Sequence, residues 1–279
     1  MRLLDFASDT YSQCGEDGII AKILGMLPDR NHWCVEFGAW DGQHLSNTCS
    51  LIEKERYAAV LIEPDQSRFD RLRDRHGTNE KVVPINRFVG FSHRDNLDAI
   101  LADTPIPKDF DFLSIDIDGN DYHVWKAMSA YRPKLVCIEY NPTIPSEVDF
   151  VQARDPNASQ GSSLLALTRL AREKEYELIC ATRLNAFYIP ASLFPAFSIR
   201  DNSISVLRED RSAITHFFCG YDGTLFLSGA ERSPWNDIRY QARIRQLPKV
   251  FRIYVGIQSP LRFHAFRLYR AVSRLLGRA

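Results

Sequence analysis

Apolar residues in this chain come in short runs, and amphipathic stretches fill the intervals between them. The runs predict strands at 33–37, 58–63, 81–86, 110–116 and 134–140; the intervals predict helices at 44–54, 66–76, 95–102, 121–130 and 162–174. A further helix is expected from about Gly15 to Leu27, with Glu16 and Asp17 in its first turn. Two later strand-like runs, Glu177 to Thr182 and Ala186 to Pro190, lie close enough to form a hairpin. Strand and helix alternating in this way imply an α/β domain. Its sheet would be Rossmann-like, seven-stranded and mostly parallel, with helices on both faces.

Past the hairpin the pattern changes. Leu261, Ala265, Leu268, Tyr269, Val272, Leu275 and Leu276 recur near helical spacing, with Arg262, Arg267, Arg270, Arg274 and Arg278 among them. The chain therefore divides into a domain over 1–230 and a basic amphipathic helical extension over 231–279. Formal net charge is zero, but from Arg232 onward eleven Lys/Arg stand against one acid, Asp237. The preceding 231 residues hold 24 basic and 34 acidic side chains, so an acidic body carries a basic tail. Three readings fit such a tail: a helix docked on that acidic body, a packing face for another subunit, and peripheral contact with a membrane.

The 279 residues suffice for one full core. Hydrophobic content of 45% and zero net charge give no global field to draw nucleic acid, which is excluded as a partner. The six cysteines form no C-x-x-C pair and no zinc-spaced cluster, and several fall inside apolar runs as small buried hydrophobes. Asp5 interrupts the N-terminus before a signal-peptide core could form, and no 18-residue apolar run occurs. A cytoplasmic protein is expected, free or held at the inner membrane face by its tail.

Chemistry concentrates at the ends of the predicted strands. The first runs into Val35-Glu36-Phe37-Gly38-Ala39-Trp40-Asp41-Gly42, and the second ends in Glu63, 21 residues beyond the last glycine. A glycine turn between strand and helix, followed by an acid closing the next strand, makes a nucleoside site: backbone approaches the ligand and the acid accepts from ribose hydroxyls. The turn lacks G-x-G-x-x-G, so a nicotinamide dinucleotide fits poorly. Gln13, Ser46 and Asn47 are polar residues near the same edge and candidate cofactor contacts.

The fourth strand ends in Asp116-Ile117-Asp118-Gly119-Asn120-Asp121-Tyr122, and its neighbour in Glu139-Tyr140-Asn141-Pro142. Asp116, Asp118, Glu139 and Asn141 would put hard oxygen donors on one edge, suited to Mg²⁺ or Mn²⁺. Solvated loop carboxylates and helix caps are the plainer account. His44 and His123 flank this region and could serve as general bases, although a lone histidine more often packs. Ser162 reads as the cap of the 162–174 helix. The Asn141–Gly161 loop, with Pro142, Pro145 and Pro156, is long enough to roof a substrate.

Glu36-to-Gly42 with Glu63 is similar to motif I and the ribose acid of class I, S-adenosylmethionine-dependent methyltransferases, whose sheet has the layout predicted here. Ile115-Asp116-Ile117-Asp118-Gly119, a strand ending at Glu139 and the upstream Gly15-Glu16-Asp17-Gly18 together resemble the FkbM-type methyltransferases. Asp116 to Tyr122 also resembles the D-x-D-x-x-x-Y strand end of catechol-type, metal-dependent O-methyltransferases. These resemblances imply S-adenosylmethionine as cofactor, bound by Glu36, Gly38, Ala39, Asp41, Gly42, Glu63 and Asp116. They imply a divalent ion on Asp116, Glu139 and Asn141, and O-methylation of a sugar, glycan or other small hydroxylated molecule. Asp116, Asp118, His44 and His123 are the candidate catalytic residues. Asp116-Ile117-Asp118 is also the triplet with which a metal-dependent glycosyltransferase would hold a nucleotide diphosphate. A non-catalytic binding module on the same sheet is the third alternative.

Overall fold

The protein is described by a computed structural model over residues 1–221, 224–233, 238–240, 248–251 and 259–275. It separates into two compact units, Met1–Arg211 and Ser212–Ala279. The division falls before a hairpin that the sequence assigns to the first domain.

The first unit holds strands β1 (Trp33–Phe37), β2 (Ala58–Ile62), β3 (Val82–Ile85), β4 (Phe112–Ile115), β5 (Leu135–Glu139), β6 (Tyr176–Ala181) and β7 (Asn185–Pro190). They form one sheet in the order β3-β2-β1-β4-β5-β7-β6, parallel except for β7, which runs against both neighbours. The expected seven-stranded Rossmann-like layout is present, including the terminal hairpin. Helices α1 (Glu16–Leu24), α2 (Cys49–Glu55), α3 (Gln66–His76), α4 (Leu97–Leu101), α5 (Asp121–Ala127), α6 (Leu164–Glu173) and the short α7 (Ile204–Leu207) connect and cover it.

Alternation along each strand feeds two cores. Val35, Phe37, Val60, Ile62, Leu113, Ile115, Val136 and Ile138 pack with α4, α5 and α6 through Leu97, Trp125 and Leu167. Cys34, Ala59, Leu61, Phe112, Leu135 and Cys137 pack with α1, α2 and α3 through Ile20, Leu51 and Leu72. Burying each large aliphatic or aromatic side chain contributes about 1.5–3 kcal/mol, and these strands bury both faces. Cys34, Cys49, Cys137 and Cys180 are buried and unpaired, as their apolar surroundings predict.

Three helix starts differ from expectation: α4 begins at Leu97 rather than 95, after the Asn96 cap, and α2 and α6 begin later than predicted. The helix predicted from residue 44 begins at Cys49, because two acids seize the intervening backbone. Asp41 accepts the Gln43 and His44 N–H groups (3.0 and 2.8 Å), Glu36 accepts the Asn47 N–H (2.8 Å), and Leu45 takes a left-handed φ of 54°. A turn that satisfies donors outward cannot also propagate a helix. At α6 the cap is Ser163, which accepts from Ala166 N–H (3.1 Å), whereas the predicted Ser162 accepts from Gln152 N–H (3.4 Å).

In the second unit, β8 (Thr215–Cys219) and β9 (Leu225–Gly229) form an antiparallel hairpin, and α8 is Pro260–Leu275. Leu276 and Arg278 of the predicted amphipathic pattern lie outside the described residues. Among the described residues no helix is long and apolar enough to cross a membrane.

Candidate active site at the carboxyl edge of the sheet

Register decides which residues meet. Phe37 pairs with Ile62 and Ile115, and Ile115 with Ile138, so β1, β2, β4 and β5 end level with one another. Their next residues, Gly38, Glu63, Asp116 and Glu139, therefore emerge at one edge. Strand order reverses between β1 and β4, the crevice where open α/β sheets bind ligands.

The glycine turn is built for contact within the protein. Gly38 has φ 76°, and a Cβ there would overlap the carbonyl oxygen of Asp116. Gly42, at φ 75°, would bring a Cβ within 2.7 Å of the His76 ring. Ala39 is buried in the core on the α1 side. Glu63 closes the turn, accepting Trp40 N–H (2.9 Å) on one oxygen and Asp65 N–H (2.8 Å) on the other. Each of those oxygens keeps a second lone pair for a ligand. Arg68 lies over the Trp40 ring, 3.7 Å from its centroid.

Glu36 is held by three donors. It accepts from Ser46 Oγ (2.6 Å), Asn47 N–H (2.8 Å) and Thr48 Oγ1 (2.7 Å). Burial pushes its pKa up, and these three donors pull against that rise. Asn47 extends the anchor by donating to Ser114 Oγ on β4 (3.1 Å). Ser46 and Asn47, the candidate cofactor contacts, thus both donate to Glu36. Partial burial opposes ionisation of Asp41; the His44 and Gln43 N–H donors and nearby Arg75 outweigh it and hold its pKa low. Gln13 lies exposed on the loop before α1.

Beside the turn, ligand oxygens of Asp116, Asp118 and Glu139 lie within 4.8 Å of one another. Burial first, then neighbouring acids Asp121 and Asp118, raises the Asp116 carboxyl to about 8. Burial and the charge of Asp116 push Glu139 up to about 10. Buried Asp121, which accepts Ile117 and Gly119 N–H (3.0 and 2.9 Å), is raised to about 6. Asp118 sits exposed with a left-handed φ of 56°, which turns the chain back over the strand end.

Asn141, expected beside these acids, makes its hydrogen bonds within the loop. Its Oδ1 accepts from Thr143 N–H and Oγ1 (2.9 and 2.6 Å) and its Nδ2 donates to Gln160 O (2.6 Å), so it closes the loop. Asp118 brings a third carboxylate beside Asp116 and Glu139. His123 also belongs to the loop, with Nε2 2.9 Å from Gln152 O; a carbonyl can only accept, so that nitrogen carries the proton. His44 is exposed, its ring 5.2 Å from that of Trp40.

Several site-building residues are invisible in the sequence. Glu16 and Asp17 are the expected first-turn acids, and both are buried. Glu16 accepts from Thr182 Oγ1 (2.8 Å) and Asn185 Nδ2 (3.1 Å), and Asn185 pairs with Glu139 in the sheet. Asp17 gathers the N–H groups of Thr10, Tyr11 and Ser12 (2.8, 2.7 and 3.0 Å). Buried Arg208 donates to Pro142 O and Ile144 O (2.6 and 2.7 Å), clamping the start of the 141–161 loop. Asn120 and Gln152 fasten the far end through Ala158 O (3.4 and 3.1 Å). Asp17 Oδ1, Asn120 Oδ1 and Asn185 Oδ1 are buried acceptors with no hydrogen-bond partner among the described residues.

No known family profile matches the chain, and no curated protein matches its sequence. Among solved structures it is similar in fold to a SAM-dependent methyltransferase from Aquifex aeolicus, at 10% identity, covering 61% of this chain and 88% of that one, with a TM-score of 0.38. The N-terminal domain of EvdMO1, solved in the presence of SAH and D-fucose, aligns at 11% identity over 66% of this chain and 84% of that one (TM-score 0.42). M. jannaschii TYW2 in complex with AdoMet aligns at 15% identity over 66% and 79% (TM-score 0.37).

Proposed function

We propose that the first unit is an S-adenosylmethionine-dependent methyltransferase acting on a hydroxyl group of a sugar or other small molecule, assisted by a divalent cation. The observation that carries the reading is the convergence, at one strand-order reversal, of a glycine turn, a ribose-type acid and three carboxylates.

The residues suit both groups. Glu63 keeps lone pairs for ribose hydroxyls, and the partnerless Asp17 and Asn185 oxygens are acceptors available to an ammonium group. Asp116, Asp118 and Glu139 offer three hard oxygens whose mutual repulsion a cation would relieve. When bound, the sulfonium supplies the methyl group, and Mg²⁺ or Mn²⁺ lowers the pKa of an acceptor hydroxyl. The chain's own part is to position the reactants and move a proton. The level strand ends and the clamped 141–161 loop limit the acceptor's approach, and orientation is the main catalytic requirement of an in-line displacement. Asp116, held near neutrality by burial and its acidic neighbours, takes the acceptor's proton if no cation is bound.

Titration calorimetry with S-adenosylhomocysteine and with UDP-sugars tests the reading. Micromolar or tighter binding of the first and none of the second is the expected result. Binding of UDP-sugars alone replaces it with glycosyl transfer through Asp116 and Asp118. Binding of S-adenosylhomocysteine without methyl transfer to any hydroxylated acceptor leaves a binding module.

A further inference from the structure

The second unit carries apolar surface of a particular kind. In α8, Leu261, Ala265, Leu268, Val272 and Leu275 follow steps of four and three and so lie on one stripe. Leu261, Leu268, Val272 and Leu275 are 81, 68, 45 and 86% exposed. Arg267, Arg270 and Arg274 occupy the opposite side, Arg262 stands at the margin, and the helix contains no acid. The β8–β9 hairpin independently exposes aromatics: Phe218 and Phe226 stack at 5.1 Å, and Phe217 and Tyr221 face solvent. From Ser212 to Ala279 eleven Lys/Arg oppose three acids, Asp222, Glu231 and Asp237.

We propose that this unit docks on an anionic lipid bilayer, with α8 lying in the plane of the interface. Exposed Leu and Val on one face, arginines on the other, and exposed aromatic side chains in the same unit are the chemistry of the headgroup boundary. There the stripe leaves water while the guanidinium groups meet lipid phosphates. A nucleic acid would satisfy the arginines and leave the leucines in water. A second copy of α8 would cover the stripe and leave the arginines on the far side without anionic partners. The proposal is independent of the reaction assigned to the first unit.

Flotation of the full chain with phosphatidylcholine vesicles, with and without phosphatidylserine, is the test. Binding is expected only to the phosphatidylserine vesicles. The Leu261→Glu/Leu268→Glu double variant should lose about a hundredfold in partitioning. Gln in place of Arg267, Arg270 and Arg274 should cost roughly fivefold per arginine and flatten the salt dependence. All these side chains are exposed, so thermal unfolding and S-adenosylhomocysteine titration should match the parent. Equal partitioning into both vesicle types, no flotation, or a double variant that floats like the parent overturns the proposal. So does a parent dimer that the double variant turns into a monomer without any vesicle binding.

Discussion

Gly38 leaves no room for a side chain against Asp116: a Cβ at the first position would overlap the carbonyl oxygen of the second. The glycine is therefore required by the packing of β1 against β4 before any ligand arrives. Gly38→Ala should destabilise the fold by about 2 kcal/mol or more, from a left-handed φ and the overlap together. Thermal unfolding of the ligand-free variant checks this. Unchanged stability would mean that the turn yields and that the glycine serves the ligand.

Glu63 separates ligand binding from scaffold more cleanly. Glu63→Gln keeps one acceptor for the turn and removes the charge. S-adenosylhomocysteine affinity should fall by about 1.5–3 kcal/mol, the worth of a hydrogen bond to a charged group, with little change in melting temperature. Calorimetry of parent and variant decides it; equal affinity would move the nucleoside elsewhere.

The carboxylate cluster makes stability depend on pH in a definite direction. Asp116 and Glu139 are raised to about 8 and about 10, so in the folded state they hold protons that the unfolded chain has released. Where the native state binds more protons, stability falls as pH rises. The contribution is complete below the unfolded carboxylate range near pH 4 and is lost through pH 5 to 8 and beyond. Urea unfolding across that range should show the decline. Glu139→Gln should flatten it, and millimolar Mg²⁺ should reverse it, because a cation takes the deprotonated cluster.

Asp116→Ala should cut turnover by orders of magnitude while leaving S-adenosylhomocysteine affinity nearly intact. Chelation should reproduce the loss, and Mg²⁺ or Mn²⁺ should restore the parent. Asp118→Ala should weaken the metal requirement, whereas Asn141→Ala should not, because its amide oxygen is committed to Thr143. Full activity of metal-stripped protein in excess chelator would remove the cation and leave Asp116 as the base to test.

Arg208 governs the loop. Arg208→Met should leave the carbonyls of Pro142 and Ile144 without their donor, costing about 2–4 kcal/mol in stability. Limited proteolysis should then cut within residues 142–161 faster than in the parent.

Strand positions were legible because buried parallel strands write themselves as apolar runs, and β1 and α3 match their predicted limits. Glu63, Asp116 and Glu139 were legible for the same reason, since an acid after such a run must emerge at the edge. The roles of Glu36 and Asn141 were not. Each accepts from donors a few residues downstream, and a sequence does not show which local hydrogen bond wins. Glu16 and Arg208 were hidden for a different reason. Their partners lie 166 and 66 residues away, and a first-turn acid or a basic residue after a short helix ordinarily meets water.

The bond between Glu16 and Asn185 spans 169 residues, and so it orders events during synthesis. While the ribosome is still adding β5, Glu16 has no Thr182 or Asn185 to receive, and burying its charge then would be costly. Helix α1 can pack on β1, β2, β4 and β5 before then, but the distant donors to Glu16 arrive only with β6 and β7. The last strands of the sheet thus finish what the first residues began, and a chain stopped short of residue 185 would leave Glu16 without its Asn185 donor at the edge beside Glu139.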